Sequence, residues 1–119
     1  MHVRVIEAGG GRYLEVLPGT LAFESEDQAL EVVAACGEWD TCAALLHGDA
    51  LTRRFLDLTT GLAGAILQKF VNYHVRVAVL WTAPIPEGRF GEYVREANRG
   101  SHVRVFADRA AAEAWLVGP

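Results

Sequence analysis

The sequence predicts an α/β domain built on a mixed sheet of about five strands, with elements in the order ββαβαβαβα and the parallel strands joined by helices. Three observations predict it. Two alternating runs flank Gly9-Gly10-Gly11, as in a β-hairpin. Residues 42–47 (CAALLH), 75–81 (VRVAVLW) and 103–106 (VRVF) are short apolar runs, the pattern of strands covered on both faces. Between them lie stretches of helical period, each long enough for a right-handed crossover.

Val3 and Val5, and with them Leu14 and Val16, alternate with polar neighbours in the opening hairpin, and Pro18-Gly19 closes its second strand. Ser25, followed three residues later by Gln28, makes a capping box before Ala29, Leu30, Val33 and Ala34. This predicts a first helix over 26–36 that stops at Gly37. Leu62, Ile66, Leu67 and Phe70 share one face of a second helix, and Phe90, Tyr93, Val94 and Ala97 one face of a third. Residues 83–88 (APIPEG) form a stiff loop whose Pro86 suits the first turn of that third helix. Asn98 and Gly100 read as its C-terminal turn, with Arg95, Glu96 and Arg99 on its outer face. The last helix begins at Asp108 and carries Ala111, Ala114, Trp115 and Leu116.

A chain of 119 residues, 51% apolar and 22% charged, is read as one domain over 1–119 whose core is its source of stability. The net charge of -4 supplies no field for phosphate backbones, so no nucleic acid partner is expected. No apolar run reaches the ~18 residues of a membrane span, and the first residues lack the pattern of a signal peptide. The expectation is a cytoplasmic protein without membrane insertion. Cys36 and Cys42 lack redox or zinc spacing and are expected to be reduced and half-buried. His2, His47, His74 and His102 show no ligand spacing, so neither metal nor cofactor is expected.

Ligands favour the carboxyl ends of parallel strands. His47, Gly48 and Asp49 follow one strand, Trp81 and Thr82 the next, while His74 and His102 begin strands at the opposite end. His47, Asp49, Trp81 and Thr82 are therefore the pocket candidates, with Trp39 or Phe55 joining Trp81 as a floor. His47 beside Asp49 has the composition of an acid-base pair. No nucleophile elbow, Walker loop or GxGxxG accompanies it, and no catalytic residue is assigned. Gln68, Lys69, Asn72 and Tyr73 make a polar helix end that, with Arg76, offers a contact face.

Residues 55–73 (FLDLTTGLAGAILQKFVNY) set an acid, two threonines and two glycines at a helix entrance. Thr59 or Thr60 caps the first free amides there. Gly61 and Gly64 each cost about 1 kcal/mol against alanine in a helix interior, so close packing or the approach of a ligand or partner must compensate.

FLDLTTGLAGAILQKF resembles the phosphoacceptor segment of STAS domains, the sulfate-transporter and anti-sigma-factor-antagonist fold, in which an acid and two hydroxyl residues precede a Gly-Leu helix start. VRVFADRAAAEAWL is similar to the SpoIIAA-like branch of that fold. Leu58 separates Asp57 from the threonines where the STAS pattern usually has them adjacent. Nearly the whole chain, through LTRRFLDLTTGLAGAILQKFVNYHVRVAVL and FGEYVREANRG, resembles the uncharacterised bacterial family called domain of unknown function 4180 (DUF4180). That resemblance places a basic residue at the position of Thr59 and an acid at that of Ala65, leaving Thr60 as the hydroxyl common to both patterns.

The resemblances imply a STAS-like fold and a non-enzymatic regulatory or protein-interaction module. Asp57, Thr59, Thr60, Gly61 and Gly64 form its docking surface, with Thr60 as a phosphorylation switch. The alternative reading is a small-ligand carrier or sensor holding an apolar or anionic molecule between strand ends and helix N-termini. A small hydrolase or isomerase using His47 with Asp49 or Asp57 comes last. A homodimer paired through the exposed hairpin edge is compatible with each.

Overall fold

Strands β1 (Val3–Ala8) and β2 (Gly11–Val16) pair antiparallel around Gly9 and Gly10, whose φ angles of 56° and 80° are those a two-residue hairpin turn demands. The computed structural model describes residues 1–118, and among these the sheet has five strands in the order β1-β2-β3-β4-β5. β3 (Ala43–His47), β4 (Arg76–Leu80) and β5 (Val103–Phe106) run parallel to β2.

The first helix, α1 (Glu26–Glu38), opens on a complete capping box in which Gln28 Oε1 accepts from the Ser25 amide at 2.6 Å. It continues through Gly37, and the left-handed residue beyond it is Asp40, with φ 54°. Its buried face is Ala29, Val32, Ala35 and Cys36, while Leu30 and Ala34 face outward. The segment is apolar nearly all round, so periodicity alone did not select the face; packing on the sheet did.

The connection from β3 to β4 holds more than one helix. A one-turn 3-10 segment (Gly48–Ala50), the short α2 (Arg53–Leu56) and a second 3-10 turn (Leu58–Thr60) precede α3 (Leu62–Asn72). Thr52 starts α2 by accepting from the Phe55 amide at 3.2 Å. The third crossover helix, α4 (Arg89–Ala97), begins after Gly88 at φ 92°, so Pro86 lies outside it. The chain must turn at that glycine before helical geometry starts. Asn98 caps α4 and its side-chain oxygen accepts from the Val105 amide at 2.7 Å, tying the helix end to β5.

A sequential strand order with crossovers of one hand puts every connecting helix on the same face. Accordingly α1, α2, α3 and α4 share one core with Leu14, Leu46, Val77 and Val79. The other face is left to α5 (Arg109–Val117), capped by Asp108, whose Ala112 and Leu116 cover Tyr13, Leu45 and Ala78. No helix among the described residues is long and apolar enough to cross a membrane.

Candidate functional site

The entrance to α3 is a ledge on the side of the sheet where the parallel strands end. Asp57 Oδ1 accepts from the Thr59 amide at 3.0 Å and from the Thr59 hydroxyl at 2.6 Å, closing the 3-10 turn. Those hydrogen bonds hold the exposed Asp57 carboxyl below its usual range. Thr60 performs the cap. Its Oγ1 accepts from the Leu62 amide at 3.2 Å and shares its hydrogen between the carbonyls of Arg54 and Asp57, both at 2.9 Å. Thr60 is exposed and lines an open recess of about 440 Å³ with Glu24, Arg53, Arg54 and Asp57.

The two glycines of this segment have different reasons. Gly61 sits at φ 75° between the 3-10 turn and α3, a left-handed position that disfavours any side chain. Gly64 is helical and exposed, and among the described residues nothing lies within 4 Å of where its Cβ would stand. The sheet is therefore not what Gly64 accommodates.

A second concavity lies at the ends of β3 and β4. His47, Gly48, Asp49, Trp81 and Thr82, with Pro18, line an open cleft of about 430 Å³. Trp81 is fixed by its amide on the Phe106 carbonyl at 2.8 Å, by its indole N–H on the Pro84 carbonyl at 3.3 Å, and by a tilted contact with Phe90 at 5.5 Å. Neither Trp39 nor Phe55 joins it: Trp39 is exposed beyond α1, and Phe55 is buried against Phe23 and Tyr93.

His47 and Asp49 do not pair. Asp49 turns to the loop after β2, where Oδ2 accepts from the Gly19 amide at 2.6 Å. His47 Nε2 instead lies 2.7 Å from Glu15 Oε2. Among the described residues Glu15 is the one buried charged side chain, 2% exposed, and it also receives Arg109 on Oε2 and Arg4 on Oε1. Burial by itself would raise the Glu15 carboxyl, but the hydrogen bonds from Arg109, Arg4 and His47 outweigh it and hold the group down at about 2. Tyr13, two residues earlier on the same face, donates to Glu113 at 2.6 Å and is pushed up to about 12 by burial and by that carboxylate.

Glu15 is hidden from sequence reasoning because it stands between Leu14 and Val16 as a polar neighbour in an alternating hairpin strand, the pattern of a side chain that faces water. The available signal was β3 beside it: a strand apolar on both faces implies cover on both, and β2 shares that cover.

Other candidates disperse. Lys69 approaches Glu26 at 3.9 Å and Gln68 bonds Asn72, while Arg76 lies on the opposite face of the sheet, 5.1 Å over the Trp115 ring. Cys36 is buried and Cys42 exposed, in place of two half-buried thiols: Cys36 lies on the inward face of α1, whereas Cys42 stands in the loop just before β3. Among the described residues no group of His, Cys, Asp and Glu is placed to hold a metal ion.

No curated protein and no solved structure matches the chain significantly. The model of one family, Domain of unknown function (DUF4180), matches residues 8–116, and the chain belongs to that family.

Proposed function

We propose that this protein is a STAS-like regulatory module that docks a partner protein on the ledge of Asp57, Thr59, Thr60, Gly61 and Gly64, with Thr60 as a phosphorylation switch. The observation that carries the reading is Gly64. A glycine inside a helix costs about 1 kcal/mol relative to alanine, and open space over its Cβ position removes intrachain packing as the compensation. Close approach of a partner backbone is the compensation that remains.

Thr60 supports the switch because its hydroxyl hydrogen ties the ledge to the Arg54 and Asp57 carbonyls. A phosphoryl ester has no such hydrogen, adds close to two negative charges and stands beside the Asp57 carboxylate. Phosphorylation therefore loosens the ledge and makes it more negative beside Arg53 and Arg54.

The test is quantitative affinity capture from the native cell with the wild-type chain, Thr60→Glu and Gly64→Arg as baits. The reading predicts a protein retained by the wild type and lost with both variants, together with a phosphate on Thr60 in protein isolated from that cell. Identical capture by all three baits refutes it.

A further inference from the structure

We infer that the cleft between the ends of β3 and β4 is a binding site for a small planar nitrogenous cation, or a ring rich in N–H donors, recognised by His47, Asp49 and Trp81. The inference is independent of the ledge at α3, and it names a ligand opposite in charge to the anion expected at helix N-termini.

The argument begins at Glu15. An ionised carboxylate only accepts, so the His47 nitrogen that meets it, Nε2, carries the hydrogen; in the neutral ring Nδ1 is then an acceptor. Among the described residues Nδ1 has no hydrogen-bond partner, yet it is not sealed from solvent, since no buried side-chain nitrogen or oxygen there is left unpaired. A buried carboxylate that fixes the tautomer and direction of a partly exposed histidine creates a preorganised acceptor. The two guanidinium groups on Glu15 neutralise that carboxylate, but neither Arg4 nor Arg109 lines the cleft.

The rest of the lining agrees in sign. Asp49 uses Oδ2 on Gly19, and its Oδ1 has no partner among the described residues. One carboxylate side chain and one imidazole thus line the cleft without a cationic side chain among its lining residues. Trp81 supplies an aromatic wall, and ring faces attract cations. The volume of about 430 Å³ lies within the range of small-molecule sites.

Three probes of one shape separate the charge classes: benzamidinium, benzoate and toluene, each titrated into the full chain and followed by amide and indole N–H NMR. Benzamidinium is expected to give saturable shifts at Gly48, Asp49, Thr82 and the Trp81 indole. Its binding should weaken at least about tenfold in His47→Phe and in Asp49→Asn, which keeps an oxygen for the Gly19 amide. Should His47→Phe lose its dispersed spectrum, Asp49→Asn carries the comparison alone. Equal saturation of those residues by benzoate or toluene overturns the inference. So does the absence of benzamidinium shifts there, or binding unchanged in the folded variants.

Discussion

The indole of Trp81 lies so close over Gly48 that a Cβ on that residue would stand 2.9 Å from Cε3. Gly48, the first residue after β3, is thus where the chain yields space for the side chain that walls the cleft. Gly48→Ala is expected to push Trp81 off its Phe90 contact and to cost about 1–3 kcal/mol, the range for overpacking. Urea unfolding measures the cost, and near-ultraviolet circular dichroism the displaced ring. An aromatic spectrum and midpoint equal to those of wild type would contradict this packing.

Acid should destabilise the protein through Glu15. Its folded carboxyl, at about 2, lies below the ordinary 4.5, so the native state takes up the proton less readily than the unfolded chain. The stabilisation is fully present above about 4.5 and is lost as pH falls through about 2. Its size is about 2 kcal/mol, reduced from the full shift because Arg4 and Arg109 remain partly solvated. Asp57 acts in the same direction, so the informative quantity is the difference in acid slope between wild type and Glu15→Gln. Equal slopes between about pH 6 and about pH 3 would rule Glu15 out as the sensor.

Alanine at the two ledge glycines should have opposite effects. At Gly64, helical and open, it stabilises by about 0.5–1 kcal/mol. At Gly61, with φ 75°, it destabilises by about 1 kcal/mol or more. Paired thermal melts read both signs, and a loss of stability in Gly64→Ala would show that the helix cannot accept even a methyl group there.

Thiol chemistry should divide the cysteines. Cys36 is buried within α1, and burial, aided by the neighbouring Cys42, pushes its thiol up to about 12. Cys42 is exposed. An aromatic disulfide reagent should therefore release one equivalent from the native protein and a second only after unfolding. Two fast equivalents from the native state would place Cys36 elsewhere.

The strands and the starts of α1 and α5 were legible because their causes are local. The alternation at Val3, Val5, Leu14 and Val16, the Ser25–Gln28 box and the Asp108 cap act within a few residues, and each appears where those residues stand. Boundaries failed where local signals were ambiguous. Gly37 is inside α1, Pro86 precedes α4, and α2 is held by a threonine cap in a stretch without a repeating apolar pattern.

The candidate sites divide along the same line. Thr60, Asp57 and Gly61 are neighbours in the chain, so their turn could be read from the sequence, although not the openness above Gly64. The cleft needed more. His47 and Asp49 are two residues apart yet turn to partners 32 and 30 positions away, Glu15 and Gly19.

By itself, the sequence determined the kind of each major element, since periodicity, capping and turn chemistry operate at short range. Only the tertiary structure decided that α5 covers β2, burying Glu15 and aiming His47. Burial and charge pairing depend on which distant segments meet, and no interval along the chain encodes that distance.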